Sequence, residues 1–494
     1  MKHILGISAG FHDAAATVIN LDGEIVFAGH SERYSKNKND SAISSELLNE
    51  LCEWEYDTIA FYERPWIHNL QQIFSGQHNF GPWTTHGALK NHLGPWYQHP
   101  ARREVSFNHH LSHAAAGFQT SPYNSAVVVV IDAIGELDTI SIFRAWYDNK
   151  GQARYRRLWR QRYPHSIGLF YSAMTARIGL RPMDEEYITM GMAAWGKPAW
   201  YQTLSNALIE DFDSITFKKN LHIGVDDNFL QHASAEDIAH ASQELVEDLI
   251  MSVMKKAHRL TGETNLVYMG GVALNCSANR LLGEFYDDIW IMPNPGDAGS
   301  SLGAAALAFG KQLQWRDAFL GHNIGGAYPV NAILDELFAK RIVGVASGRA
   351  EFGPRALGNR SLLADPRGPD IKDRVNEIKR RQKFRPFAPV ILEECVHDYF
   401  KMPDAWNASP YMQTIAVCRE PDKYPAICHV DNTSRVQTVP RDGSGIRQLL
   451  EKWYLMTGCP MLLNTSLNIR GEPMVNDRAD ADRFEQLYGV KVCS

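Results

Sequence analysis

The segment 107–138, FNHHLSHAAAGFQTSPYNSAVVVVIDAIGELD, decides how the rest of the chain is read. His109 and His113 are four residues apart, so on a helix both imidazoles face one side. The run Ala126 to Ile131 is short, continuous and rich in valine, which predicts a buried strand. Asp132 ends that strand, and Ala133-Ile134-Gly135 turns the chain. Open α/β sheets hold ligands beyond the carboxyl ends of their strands, so Asp132 is expected at a cleft. Two His and one Asp converging there suit a divalent cation, with a further ligand to come from elsewhere. Against this, 19 His in 494 residues make some pair at this spacing expected by chance, and His110 with His113 is a competing pair.

The layout recurs at the N-terminus. HILGIS (3–8) reads as a strand, 9–13 as a small polar turn, 14–19 as a second strand, and Asp22-Gly23 turns into a third. The stretch 125–144 has the same plan, with Asp132, Gly135 and Glu136 in or beside its turn. A strand–turn–strand unit met twice points to a duplicated fold. The actin/Hsp70/sugar-kinase superfold is built that way, so a phosphate or nucleotide cleft is expected by analogy. His12 lies in the first turn. Neutral imidazole takes a hydroxyl proton near neutral pH, which makes it a candidate general base; the plain alternative is a turn histidine without a role.

Residues 265–308 read strand, Gly-Gly turn, helix, strand, turn, helix. Gly270-Gly271 lets backbone approach a ligand closely, and Asn275 opens the next helix; in the superfold this turn cradles adenosine. Asp297, in PGDAGSS, follows a strand and precedes a helix. It is the candidate fourth metal ligand, or else a helix N-cap. A longer amphipathic helix is expected over 235–260, opened by Ser234.

Composition bounds the class. Hydrophobic content of 45% and charged content of 21% describe a soluble globular protein, and 494 residues exceed one core. A net charge of −6 disfavours bulk attraction to nucleic acid or acidic membranes. Seven Cys without a C-x-x-C pair suggest reduced thiols. With no signal-peptide pattern and no long apolar run, a cytoplasmic protein is expected, with no membrane partner.

The pattern loosens around 312–340, and the expected division is 1–335 and 336–494. The second part carries Arg349, Arg355 and Arg360 around a Gly/Pro/Asn-rich loop, then Lys379 and Arg385, then Arg435, then Asn464, Thr465, Ser466 and Asn468. Arginine forks on loops suit phosphate and carboxylate, so a second anion site is expected in a smaller α+β module. Three segments are less distinctive. The stretch 32–40, with Lys38, reads as a charged loop; 53–103 shows no period and reads as an irregular, aromatic-rich lining of an acceptor pocket. In 153–163, ARYRRLWRQRY, a strand with solvated charges is favoured over a nucleic-acid surface.

Together these residues resemble the O-carbamoyltransferases of antibiotic-tailoring, nodulation-factor and toxin pathways. The shared elements are G-x-x-x-x-x-H-D-A-A (6–15), H-H-L-S-H-A (109–114), D-x-x-G-E (132–136), M-G-G-V-A-L-N (269–275) and P-G-D-A-G (295–299). In the second part they are E-F-G-P-R-A-L-G-N-R-S (351–361), F-R-P-F-A-P (384–389), H-V-D-x-T-x-R-V-Q-T-V (429–439) and L-N-T-S-x-N-x-R-G-E-P (463–473). The resemblance implies an actin-like domain similar to the tRNA threonylcarbamoyl transferase, followed by a domain similar to the threonylcarbamoyl-adenylate synthase. Carbamoyl phosphate and ATP would give carbamoyl-adenylate in the second, and the first would pass the carbamoyl group to an acceptor hydroxyl. It implies a metal, commonly iron with Mn, Mg or Zn as alternatives, on His109, His113, Asp132 and Asp297. His12 would be the base and Lys38 a family lysine. Gly135, Glu136, Gly270, Gly271 and Asn275 would line the N-terminal nucleotide cleft; Arg355, Lys379, Arg385, Arg435, Asn464 and Ser466 would hold carbamoyl phosphate and ATP. A homodimer is compatible with it.

The chain departs from many relatives at Glu186-Tyr187-Ile188-Thr189-Met190-Gly191, where they carry Glu-Tyr-Lys-Val-Met-Gly. A smaller or differently charged acceptor pocket is therefore expected, for a small-molecule or nucleotide hydroxyl. The competing readings are a kinase-like or Hsp70-like ATPase of the same superfold, and a nucleotide-dependent scaffold or nucleic-acid binder using 153–163 and 377–387. Carbamoylation of a hydroxymethylated base in DNA is the mixed case, disfavoured by the negative charge.

Overall fold

The structure is a computed structural model that describes residues 2–74, 80–97 and 103–494. The chain forms two compact units, Met1–Ser31 with Asn39–Arg316, and Glu32–Lys38 with Asp317–Ser494.

The first unit contains one sheet of β1 (Lys2–Ser8), β2 (Ala15–Asn20), β3 (Ile25–His30), β4 (Glu55–Phe61) and β5 (Arg103–Ser106), in the order β3-β2-β1-β4-β5. β1 to β3 are an antiparallel meander, and β4 and β5 add in parallel on the far side of β1. Further along come β6 (Ser125–Gly135), β7 (Asp138–Tyr147), β8 (Ala153–Arg162), the ribbon β9 (Ile209–Asp211) and β10 (Thr216–Phe217), then β11 (Asn265–Met269) and β12 (Asp288–Trp290). The second sheet runs β12-β11-β6-β7-β8, with β6 to β8 antiparallel and β11 and β12 parallel to β6. The two sheets match strand for strand, which is the duplicated α/β layout that the repeated sequence pattern implied.

The valine run does what its composition dictates. Val127 to Val130 are fully buried in the centre of their sheet, and β-branched side chains pack well on a pleated surface. After β5 comes the helix His109–Phe118, and after β12 the helix Ser300–Phe309. Each packs on the sheet of the other repeat and against its counterpart helix. Glycine makes this possible. A Cβ at Gly303 would lie 1.8 Å from the Ser112 carbonyl oxygen, and one at Gly6 would lie 1.9 Å from that of Ser301. The 27-residue helix Ala235–Thr261 is capped by Ser234, whose side chain accepts from Asp237 N.

The second unit is built on β13 (Phe319–Asn323), β14 (Ile342–Ala346), β15 (Arg349–Glu351), β16 (Arg360–Ala364), β17 (Ala388–Leu392), β18 (Phe400–Lys401), β19 (Ile415–Cys418), β20 (Thr433–Arg435), β21 (Gln437–Val439), β22 (Met461–Ser466) and β23 (Val492–Cys493). A six-stranded mixed sheet of order β21-β17-β22-β16-β14-β23 carries its core, and β18, β19 and β20 form a smaller antiparallel sheet.

Three regions differ from their sequence reading. The stretch 53–103 is ordered secondary structure over most of its length: β4, the helices Pro65–Phe74 and Thr85–Leu93, and the start of β5. Local chemistry fixes these short elements without a long apolar period: Thr84 caps the second helix by accepting from Gly87 N. Within that stretch, 75–79 and 98–102 lie outside the described residues. The charged segment 32–40 begins in a short helix, Ser31–Ser35. The loosened stretch 312–340 ends in the helix Val330–Lys340, whose Ile333 and Leu337 are buried.

The glycine contact between the paired helices is testable. Gly303→Ala places a methyl against a backbone carbonyl that cannot rotate away, an overpacking expected to cost about 2–3 kcal/mol. Gly191→Ala, where the added methyl meets nothing within 4 Å, is expected to leave stability unchanged or slightly raised. Urea unfolding of the two variants checks both.

Candidate functional site

The helix His109–Phe118 is started by Asn108, whose side chain accepts from Leu111 N at 3.1 Å. This fixes the first turn, and with it His109. The neighbouring repeat supplies the facing groups: Asp132 from within β6, which runs on to Gly135 instead of ending at Ile131, at the point where its register with β7 shifts, and Asp297 from the turn before the helix Ser300–Phe309. One ligand atom from each of His109, His113, Asp132 and Asp297 lies within 4.8 Å of all the others. The two Nε2 atoms are 3.1 Å apart. Asp132 Oδ2 is 3.1 Å from His113 Nε2 and 3.4 Å from that of His109; Asp297 Oδ1 is 3.2 and 3.3 Å from them.

These residues fit a cation. Asp132 Oδ2 is buried and accepts no hydrogen bond, a costly state unless another group faces it. The other face of His113 is engaged, with Nδ1 3.1 Å from the Pro295 carbonyl. Donation from Nδ1 sets the tautomer and leaves the Nε2 lone pair turned into the cluster. His109 Nδ1 lies 3.7 Å from the Glu63 carboxylate. His110 is resolved out of the pair: it faces away, with Nδ1 2.9 Å from Ser141 Oγ, and burial holds its pKa well below the ordinary value. Asp297 is not the N-cap: Gly296 precedes the short turn of helix that Asp297 opens, and Gly299 precedes the helix Ser300–Phe309; the Asp297 carboxylate faces the imidazoles instead.

Burial opposes charge on every member of the cluster, and opposite partners override it. Against burial, Asp297 and Asp132 raise His109 well above the usual imidazole range, and they raise His113 as well. Asp132 and Asp297 are likewise held below the usual carboxylate range by the histidines, despite their burial. Without a cation, each imidazole and each carboxylate of the cluster favours the charged form of the other.

His12 adjoins this centre. Its Nε2 is 3.7 Å from Asp297 Oδ2 and its Nδ1 is 2.9 Å from Asp13 Oδ2. Burial lowers its pKa, but Asp297, Asp13 and Asp132 prevail and push it up to about 9. Phe11 beside it is 62% exposed, an apolar platform at the turn. Two neighbours escaped the sequence reading. Glu63 stands just past the end of β4, and that position was its only signal. His92 packs on the turn, 3.1 Å from where a Cβ on Gly10 would be; nothing in its spacing marked it.

The remaining candidates of the first unit hold the scaffold. A Cβ at Gly135 would strike His109 Cδ2 at 2.4 Å, and one at Gly270, with φ +91°, would strike the Ile131 carbonyl at 2.1 Å. A Cβ at Gly271 would lie 3.3 Å from Asp132 Oδ1. Glu136 accepts from Arg64 N, Nε and Nη2 and from Asn108 Nδ2. Asn275 caps the helix Cys276–Asn279 and exchanges hydrogen bonds with Gln243 at 3.0 and 3.1 Å. Lys38 belongs to the segment Glu32–Lys38 of the second unit.

In the second unit Lys379 is buried, and its Nζ donates to Ser466 O (2.5 Å), Ser466 Oγ (3.0 Å) and Asn468 Oδ1 (2.7 Å). Burial, with Arg381 and Arg385 adding repulsion, pushes its pKa well down. Asn464 Nδ2 donates to Gln437 Oε1 and to the carbonyl of Ala356, next to Arg355. Asn464 Oδ1 and Arg435 Nε are buried without hydrogen-bond partners, and Arg385 is partly exposed. Arg360 does not join the expected arginine group. It is fully buried and donates to the carbonyls of Ser347, His322 and Asn476, among others.

Residues 87–306 match the family model for the carbamoyltransferase N-terminus, and 334–492 that for the carbamoyltransferase C-terminus. An uncharacterized protein of Synechocystis is 33% identical over 98% of this chain and 94% of its own. Nodulation protein NolNO of Sinorhizobium fredii is 29% identical over 95% of this chain and 76% of its own, and nodulation protein U of the same species is 36% identical over 52% and 49%. Among solved structures, component A of the Acidaminococcus fermentans (R)-2-hydroxyglutaryl-CoA dehydratase overlaps 63% of this chain and 98% of its own at TM-score 0.36 and 13% identity. With both halves of one family matched in order and a relative of similar length aligned nearly end to end, the chain belongs to the carbamoyltransferases.

Proposed function

We propose that this carbamoyltransferase makes carbamoyl-adenylate from carbamoyl phosphate and ATP in its second unit and passes the carbamoyl group to an acceptor hydroxyl in its first. The observation that carries this reading is the convergence of His109, His113, Asp132 and Asp297 beside His12. A kinase of the same superfold has no use for such a cluster.

In the first half-reaction carbamoyl phosphate, ATP and water give carbamoyl-adenylate, pyrophosphate and phosphate. The anionic reactants need cationic partners, which Arg355, Arg385 and Arg435 supply. Lys379 and Asn464 orient them: one is a side-chain amine anchored on Ser466 and Asn468, the other a side-chain amide fixed by Gln437 and the Ala356 carbonyl.

In the second half-reaction the acceptor oxygen forms a bond to the carbamoyl carbon, and AMP leaves. A hydroxyl is a poor nucleophile until its proton is taken. His12 is the residue for that, with Asp13 orienting the ring through Nδ1 and Nε2 facing the centre. His109, His113, Asp132 and Asp297 would hold a divalent cation; two nitrogens and two carboxylate oxygens suit iron, manganese or zinc. Such a cation neutralises charge that develops on a departing phosphate ester. A cation held there would offset the Asp297 and Asp132 charges that hold the His12 pKa up, and would so favour the neutral imidazole a base needs.

Two outcomes are expected. Incubated with carbamoyl phosphate and ATP, the protein releases pyrophosphate only when both are present; absence of that release removes the adenylate step. His12→Ala keeps this release and loses carbamoyl transfer by about 100-fold or more, read as acceptor mass gain. The cation assignment has its own readout. His109 and His113 ligate as neutral imidazoles, and their carboxylate neighbours favour the protonated form before an ion arrives, so adding Mn²⁺ or Zn²⁺ to metal-stripped protein in weak buffer near neutral pH releases protons. Affinity accordingly rises with pH. Asp297→Asn abolishes the release, and a wild-type titration without proton release rejects the assignment.

A further inference from the structure

The hairpin joining β6 to β7, together with β8, carries a charge arrangement that the steps above leave unused. Asp138, the first residue of β7, has a side chain only 5% exposed, and Arg157 donates to its Oδ2 at 2.7 Å. Two further guanidiniums, through Arg160 Nη1 and Arg162 Nε, stand 3.8 Å from Oδ1. That is outside hydrogen-bond range, and Oδ1 is itself buried without a partner. Among the described residues no second carboxylate pairs with these three arginines. Three cations therefore face one anion, and Arg160 and Arg162 remain 37% and 50% exposed.

Protection of an exposed edge strand does not account for this. Charges spread along the strand serve that purpose, and β8 already has them in Arg154, paired with Asp148 at 2.7 Å, and in the exposed Arg156. Converging guanidiniums repel one another, so their gathering at one point calls for an anion beyond Asp138.

The point is linked by short chains of contacts to the helix and strand that carry the cluster. Arg160 pairs with Ser141 of β7, and directly paired side chains share a face of a sheet. Ser141 Oγ is 2.9 Å from Nδ1 of His110, on the helix that carries His109 and His113. On the other flank, Arg64 binds Glu136 of the same hairpin and follows Glu63, whose carboxylate is 3.7 Å from His109. β8 lies two strand spacings from β6, roughly 10 Å, a distance a small molecule spans.

We propose that Arg160 and Arg162 receive an oxyanion borne by the hydroxyl acceptor, a phosphate above all, while Asp138 and Arg157 hold the fork in place. Arginine forks match tetrahedral oxyanions by paired N–H donors. The acceptor class is then a hydroxylated phosphate monoester. This rests on the transfer reading for where the acceptor sits, but its test does not need transfer to occur.

The test is site-resolved. Whole protein is treated with phenylglyoxal, and modification of each arginine is followed by peptide mass spectrometry. Conditions are chloride, inorganic phosphate, ribose and ribose 5-phosphate at equal ionic strength. Modification of Arg160 and Arg162 is expected to slow in phosphate and ribose 5-phosphate, about fivefold at four times the dissociation constant, with Arg154 and Arg156 unaffected and ribose inert. In R160Q the protection of Arg162 disappears. Equal rates in chloride and phosphate, or equal slowing of all four arginines, overturn the proposal. Protection by a single-stranded oligonucleotide but not by ribose 5-phosphate overturns it in favour of a polymeric anion.

Discussion

The close contact of the helices His109–Phe118 and Ser300–Phe309 is the constraint on which the site depends. Gly303 lets one helix rest on the backbone of the other at Ser112, one residue from His113. Because each helix follows one sheet and lies on the other, the repeats cannot shift separately. The distances among His109, His113 and Asp297 are set by that contact before any ligand arrives.

The same enclosure makes the centre electrostatically demanding. Four ionisable groups without water carry a heavy desolvation cost. The chain meets it by matching signs, two imidazoles to two carboxylates, so that each charge lies within about 3.5 Å of an opposite one. Asp297 is shared with His12 as well, so what happens at the carboxylate reaches that imidazole through a single side chain. The second unit treats its buried Lys379 differently: its Nζ has hydrogen-bond acceptors around it and, among the described residues, no carboxylate in contact.

Much of this was legible in the sequence because it rests on periodicity and on strand ends. The valine run, the i, i+4 histidines and the repeated hairpin each have a local signature, and Asp132 and Asp297 shared a position relative to strand and helix. Glu63 stands just past β4, but the aromatic surroundings hid the strand. The helices between β4 and β5 were missed because capping by Thr84 and a proline start replace a long apolar stripe. Arg360 resembled its neighbours in composition; only three-dimensional structure shows that its guanidinium is filled by backbone carbonyls. Convergence of Arg157, Arg160 and Arg162 on Asp138 depends on bulges in β7 and β8, which no linear pattern encodes.

The short segment Glu32–Lys38 has a consequence for how the molecule is made. Arg33, buried at 2% exposure, donates to the Gly353 carbonyl at 2.7 Å, and Lys36 pairs with Asp480. The ribosome emits this segment long before Gly353 and Asp480, at a pace of roughly 5–20 residues per second. Its polar groups therefore wait in solvent through most of translation, and the later unit completes itself only when an early piece of the chain returns to it. A gene cut cleanly at the apparent boundary would part Arg33 from its carbonyl, so the two halves of this protein are not exchangeable cassettes.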